Sequence, residues 1–439
     1  MSTSTRVENV HTKMAYQPIL NIGCLGSVSD GKSTTVFQLT GTKTQRHSNE
    51  KTRNITIKPG YANMKVWLKA DGQYETTNSE GSVCPTDKRK SSDEGQNCSV
   101  ADATLVHHLS FVDCPGHQEL ILAMMGSVSL MKGAIVVVSA AEPISKKPQL
   151  IQHLAAAKMG GLERLIVIFN KLDLITQEKA LERKEELDEL LEKLEIKPQY
   201  IIPTALNKKI GLQNVIKAIM EVFPPELSES SSTETAEFRI TRSFDINKPG
   251  TNWDKMSGGV IGGSLITGKL AVGDEIEIRP GQYSKKKDGS FVVMPIVTTV
   301  NSIQTDKISL ETLHPGGLTA IGTDIDPFYC KDDKLSGAIV GIKGTLPPVY
   351  GEITMNVTLT SDFEGEWTPK KNDNVYLQIG NVNTEALLTE MKSDDFKFKL
   401  SKPSCISPDS LILVCCNVGD ILKIVGFGRL NVSMCTKII

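Results

Sequence analysis

Along the first half of the chain, apolar and polar positions fall into a repeating order. Short, almost fully apolar runs come first: "PILNIGCLGSV", "TLVHHLSFVDC", "GAIVVVSAA", "RLIVIFNKLD" and "YIIPTAL". Each is followed by a stretch of helical character, such as Lys32 to Gly41, "ELILAMMGSVSLMK" and "QLIQHLAAAKMG". Strands without a polar face, alternating with amphipathic helices, predict a mostly parallel sheet covered by helices on both faces. The stretch 177–196 keeps leucines at helical spacing among many charges and reads as a solvated surface helix.

The texture then changes. "ELSESSSTETAE" has little to bury and predicts a linker, placed at 226–236. Beyond it, "EFRITRSFDI", "GGVIGGSLITG", "DEIEIRPG" and "FVVMPIVTTVNSI" are strand-like runs separated by Gly, Pro and Asp turns. Two all-β barrel domains are expected, over 237–346 and 347–439, with Pro347-Pro348 as the seam. The α/β domain should occupy 16–225 after a disordered tail, 1–15. A polar, Gly/Ser-rich segment at about 70–103 interrupts it and is expected to be a flexible insertion.

Composition narrows the classes. A length of 439 residues implies several domains, and 39% hydrophobic with 23% charged residues fits a soluble protein. The net charge of -2 excludes a generally basic nucleic-acid coat. Nine cysteines without a CxxC pair point to reduced intracellular thiols. No run approaches the roughly 18 apolar residues of a membrane span, and the polar N-terminus lacks a secretion signal, so a cytoplasmic protein without membrane contact is expected.

Chemistry enters with "GSVSDGKST". Gly26 and Gly31 let backbone N–H groups turn toward phosphate oxygens, Lys32 supplies a fixed positive charge, and Ser33 can ligate magnesium. In "VDCPGH", Asp113 at a strand end would reach magnesium through water, and the Gly116 N–H would meet a γ-phosphate. "NKLD" decides the base. Asp173 can accept two hydrogen bonds from guanine N1–H and its exocyclic amine, a pair that adenine does not offer. Asn170 would brace the loop, the Lys171 stem would cover the base, and in Thr204–Leu206 the Ala205 N–H would face the guanine carbonyl. In "KTRNITIKPGY", Thr56 reads either as a switch residue bringing a hydroxyl to magnesium or as an ordinary strand residue.

"GSVSDGKST", "RNITIKPGYAN", "VDCPGHQELILAMMGS" and "NKLD" resemble the translational GTPases, with an α/β P-loop GTPase domain followed by two barrels. "RSFDINKPGT", "PGGLTAIGTDIDP" and "VGFGRL" narrow the likeness to the gamma-subunit family of eukaryotic and archaeal translation initiation factor 2, over nearly the whole chain. The resemblance implies a phosphate loop over Ser29, Asp30, Gly31, Lys32, Ser33 and Thr34, and magnesium on Ser33 and Thr56. It implies base recognition by Asn170 to Asp173 and Thr204, Ala205 and Leu206, with His117 positioning the attacking water. It also implies slow GTP-to-GDP hydrolysis, a heterotrimer with alpha and beta subunits, and delivery of methionyl initiator tRNA to the small ribosomal subunit. GTPase-activating and nucleotide-exchange factors belong to the same picture.

Departures from that pattern carry expectations of their own. Many relatives have His where Ser27 and Asp30 stand, and archaeal ones an acidic residue at Ser29; a carboxylate at Asp30 should weaken nucleotide affinity or alter its metal dependence. Relatives often carry a four-cysteine zinc knuckle in the insertion. Here only Cys84 and Cys98 remain, with His107 and His108 further on in a strand, so zinc is not expected. Two rival readings stay open. One is an elongation-type carrier, against which the long insertion and "SFDINKPGT" argue; the other is a GTP-binding scaffold without turnover.

Overall fold

The computed structural model describes residues 14–44, 56, 59–78, 103–117, 120–225, 234–252, 254, 256–306, 308–360, 367–419 and 421–439. The chain forms two compact units. The first takes the chain up to Leu120 together with Met131–Leu154 and the residues from Leu162 to the linker. The second combines Ile121–Leu130, Ala155–Gly161 and the C-terminal part.

In chain order the α/β region holds β1 (Leu20–Leu25), α1 (Lys32–Thr40), β2 (Gly60–Lys69), β3 (Tyr74–Thr77), β4 (Ala103–Asp113), α2 (Ile121–Val128) and β5 (Gly133–Ser139). It continues with α3 (Pro148–Met159), β6 (Leu165–Asn170), α4 (Gln177–Lys193), β7 (Tyr200–Pro203) and α5 (Leu212–Val222). The sheet order is β3-β2-β4-β1-β5-β6-β7, with β1, β4, β5, β6 and β7 mutually parallel and β2 and β3 added antiparallel at one edge. Every residue of β1, β5 and β6 is buried, which is what strands covered on both faces require. On one face Ile22, Ile135, Val137, Ile166 and Ile168 pack with Val36 and Leu39 of α1 and Val215, Ile219 and Val222 of α5. Helix α4 buries only Leu187 and Leu191, as its charge pattern predicts.

One finding departs from the sequence reading. The first part of the expected flexible insertion is β3, paired with β2 from Lys65↔Thr77 to Leu68↔Tyr74; residues 79–102, with Cys84 and Cys98, lie outside the described residues. His107 and His108 are fully buried: His107 Nε2 lies 2.6 Å from the Phe223 carbonyl and His108 Nδ1 2.9 Å from the Met14 carbonyl. They serve the fold of this unit. Among the described residues no group of three or more His, Cys, Asp or Glu is arranged to hold a metal ion.

In the second unit, β8 (Glu237–Phe244), β9 (Val260–Thr267), β10 (Leu270–Ala271), β11 (Glu275–Lys285), β12 (Phe291–Thr305), β13 (Ile308–Leu310), β14 (Thr312–Leu313), β15 (Leu318–Thr323) and β16 (Ile339–Ile342) build the first barrel. Strands β11-β16-β8-β9-β15-β12 form its ring, closed by the β11–β12 pairing. Six further strands, β17 (Val349–Leu359), β18 (Asn374–Ile379), β19 (Val382–Lys392), β20 (Asp395–Cys405), β21 (Leu411–Val418) and β22 (Ile421–Leu430), close the second in the order β17-β20-β19-β18-β21-β22. Burial alternates residue by residue along β15 and at the start of β20, the signature of strands with one face on a core. No helix among the described residues is long and apolar enough to cross a membrane.

Candidate functional site

The candidate site lies at the C-terminal ends of β1, β4, β5 and β6, where a parallel sheet presents its loops. From β1 the chain turns through Gly26, Ser29 (φ 65) and Gly31 (φ 105) into α1. Gly31 cannot be replaced without strain, because its φ is left-handed and a Cβ would stand 2.6 Å from Asn170 Nδ2. No side chain caps α1, whose first turn also lacks acidic residues, so its positive end faces the loop. The Lys32 ammonium donates to the Gly26 carbonyl (3.0 Å) and the Ser27 carbonyl (2.8 Å). Gly116 is a close neighbour, since a Cβ on it would collide with Lys32 Nζ. Phosphate-loop and strand-end motifs thus converge on one cation. Thr34 sits half-buried in the first turn of α1.

Three hydroxyl or carboxylate oxygens meet beside them. Ser33 Oγ donates to Asp113 Oδ2 at 2.6 Å and lies 3.3 Å from Thr56 Oγ1. The structure therefore brings together the three residues that the sequence nominates for magnesium. Thr44, which the sequence reading does not single out, donates to the same Asp113 oxygen at 2.6 Å. Asp113 is fully buried, and a buried carboxylate needs donors or cations around it. The neighbouring thiols stay neutral, because burial, then the Asp113 charge, push Cys24 and Cys114 upward. Hydroxyl and carboxylate oxygens are the donor set that a hard cation such as magnesium takes, so the residues present fit it.

The base side is tied to the phosphate side by Asn170. Its Nδ2 donates to the Asp30 carbonyl (3.2 Å), while its Oδ1 accepts from Thr204 Oγ1 and the Leu206 N–H, each at 3.2 Å. Lys171 adopts a left-handed φ of 63 that turns the chain into the short Leu172–Leu174 helix carrying Asp173. Asp173 pairs with Lys208 at 3.0 Å, with side chains 18% and 60% exposed. A pair this open contributes little, so a base can displace it at small cost. The Ala205 N–H, expected to face a base carbonyl, donates here to the Ile210 carbonyl at 3.1 Å. Base recognition through it requires that bond to be shared or exchanged.

His117 occupies a half-buried bend immediately after Gly116. Two further groups brace the phosphate loop without any sequence motif to announce them. Gly26 N–H donates to His153 Nδ1 at 3.0 Å, and Asp30 pairs with Lys147. Burial first, then the Lys32 charge, lower His153 to about 3, so its Nδ1 is a neutral acceptor. A lone His inside the apolar stretch "QLIQHLAAA" is the faint signal that could have found it.

Comparison with known proteins fits this geometry. The family model for the elongation factor Tu GTP-binding domain matches residues 17–225, that for elongation factor Tu domain 2 matches 258–330, and that for the C-terminal part of initiation factor eIF2 gamma matches 353–430. The chain is 35% identical over 428 residues to eukaryotic translation initiation factor 2 subunit gamma of Encephalitozoon cuniculi, covering 97% of this chain and 95% of that one. It is 35% identical over 419 residues to translation initiation factor 2 subunit gamma of Pyrococcus furiosus, covering 94% and 97%. Among solved structures it resembles a bacterial selenocysteine-specific elongation factor, EF-Sec, with TM-score 0.68 and 20% identity over 94% of this chain and 58% of that chain. It also resembles elongation factor SelB of Methanococcus maripaludis in complex with the GTP analogue GppNHp, with TM-score 0.66 and 19% identity over 94% and 79%. These two likenesses speak to the fold alone. Sequence relatives and family models together place the chain in the gamma-subunit family of translation initiation factor 2, as a GTP-binding GTPase of translation initiation.

Proposed function

We propose that this chain is the GTP-binding core of a heterotrimeric initiation factor with alpha and beta subunits. In the cytoplasm it forms a ternary complex with GTP and methionyl initiator tRNA, delivers it to the small ribosomal subunit, and hydrolyses GTP on start-codon selection. The observation that carries the reading is the continuous chain of contacts through Ser33, Asp113 and Thr56 on one side and Asn170 on the other. It lets a terminal phosphoryl group and a base be sensed by loops bonded to one another.

Gly26 to Thr34 cradle the phosphates, with Lys32 moving its ammonium from the loop carbonyls onto phosphate oxygens. Ser33 and Thr56 would hold magnesium directly and Asp113 would do so through water, and a cation held there would supply positive charge against the charge that develops on the phosphates. Asp173 accepts the guanine N1–H and amine, the Lys171 stem covers the ring, and Thr204 to Leu206 close over the carbonyl. Gly116 N–H meets the γ-phosphate and His117 orients the attacking water. Unassisted turnover is slow, an activating partner supplies the missing acceleration, and an exchange factor releases GDP.

The test compares the affinity of the GTP- and GDP-loaded protein for charged initiator and elongator tRNAs, then follows single-turnover hydrolysis on small subunits. Initiator preference with GTP, and hydrolysis lost in His117→Ala, are expected. Preference for elongator tRNA supports the elongation-type carrier, and no turnover in the unmodified protein supports the scaffold.

A further inference from the structure

Asp30 puts a carboxylate into the phosphate loop, and the expectation from sequence is that its charge opposes an anionic ligand. The surroundings of that carboxylate point elsewhere. Asp30 and Lys147 are an ion pair whose side chains are each 2% exposed. Asp30 Oδ1, the oxygen that takes the Lys147 ammonium, also accepts the Ser139 N–H at 3.1 Å, at the end of β5. Oδ2 accepts the Ser27 N–H at 2.8 Å. Lys147 reaches the loop from the residue just before α3. Meanwhile Lys32, the cation meant for phosphate, bonds the carbonyls of Gly26 and Ser27. Asp30 and Lys32 therefore grip the same residue, Ser27, from its N–H and its carbonyl, while their charges are partnered separately.

We infer that Lys147 is a charge-compensating positioning residue for nucleotide binding: it neutralises Asp30 so that the field of Lys32 and α1 reaches the phosphates undiminished. Without Lys147, an uncompensated negative charge would stand buried in the loop beside Ser27, whose carbonyl Lys32 bonds, and phosphate affinity would fall. The inference rests on the reading of Gly26 to Thr34 as a phosphate cradle. It adds to that reading the residue that makes an acidic loop workable.

The measurement is the ratio of GDP to guanosine affinity, read on the full chain with magnesium by competition against a fluorescent GDP. Guanosine shares the base contacts and lacks the phosphates, so the ratio isolates the electrostatic effect. Lys147→Met leaves Asp30 uncompensated and should lower the ratio at least about tenfold, the scale of one unit charge acting across about 12 Å at an effective dielectric of about 20. Asp30→Asn leaves Lys147 uncompensated and should raise it by a similar factor. The double variant Asp30→Asn/Lys147→Met should return the ratio to within about threefold of the unmodified protein. A purely structural brace predicts a different pattern, because either single change would loosen the loop and lower the ratio. A ratio that falls in both single variants, or moves in neither, overturns the inference. Should Lys147→Met not fold, the direction of change in Asp30→Asn still decides. An unmodified protein that binds guanosine as tightly as GDP would instead refute the phosphate-cradle reading itself.

Discussion

Lowering the pH should loosen the α/β unit through a histidine that no motif marks. His153 is 1% exposed, accepts the Gly26 N–H and is lowered from 6.5 to about 3, chiefly by burial. Held neutral in the fold, it takes its proton only after unfolding. The unfolded state therefore binds more protons once the pH drops below 6.5, and stability is lost from there down to about 3. At pH 7.5 the effect is negligible, and at pH 5.5 it reaches about 1.4 kcal/mol, one unit below the unfolded value. His153→Gln keeps an acceptor for Gly26 and removes the titration. Native-state hydrogen exchange of β1 and β5 amides, corrected for intrinsic rates, reads the opening free energy of this unit by itself. Between pH 7.5 and 5.5 the unmodified protein should lose about 1.4 kcal/mol more than the variant. Equal losses would refute the reasoning, because they would show that His153 is protonated in the fold or does not titrate on opening.

His108, also lowered to about 3 by burial, should behave the same way in the same pH window, so a His108→Gln/His153→Gln protein should keep about 2.8 kcal/mol that the unmodified one loses by pH 5.5, read by the same exchange. Inosine nucleotides lack the exocyclic amine, so IDP should bind roughly 10- to 150-fold more weakly than GDP by calorimetry, and Asp173→Ala should erase that difference. Thr44→Val removes a 2.6 Å hydrogen bond to buried Asp113 and should cost about 1.5–3 kcal/mol in urea unfolding. Lys184→Ala, which breaks only the exposed pair with Asp188 on α4, should shift the same curve by less than about 0.5 kcal/mol.

The parts of this molecule that were readable in sequence are those where burial acts on consecutive residues. Strands β1, β5 and β6 are apolar at every position because both faces are covered, and the loops that end β1, β4 and β6 carry motifs at fixed spacing. The β2–β3 hairpin is not legible in the sequence because β3 is "YETT", polar residues whose strand character comes from pairing with β2. Partners of the phosphate loop are illegible for another reason. Lys147 lies 117 positions from Asp30, and Thr44 lies 69 from Asp113, distances over which no local pattern can couple two residues. Thr56, whose sequence fits a strand and a switch equally, stands next to Ser33 only because the fold brings it there.

The register of β2 on β4 bears on how far Thr56 can stand from the sheet. Gly60 pairs with Asp113, and Thr56 precedes Gly60 by four positions. Four peptide links reach at most about 14 Å when fully stretched. The hydroxyl of Thr56 is thus on a short leash, pegged to the ladder at the height of the carboxylate it works beside. In the proposed switch, any excursion of Thr56 stays within that radius of Gly60, so its return is a search of about 10 nm³ with one end already home.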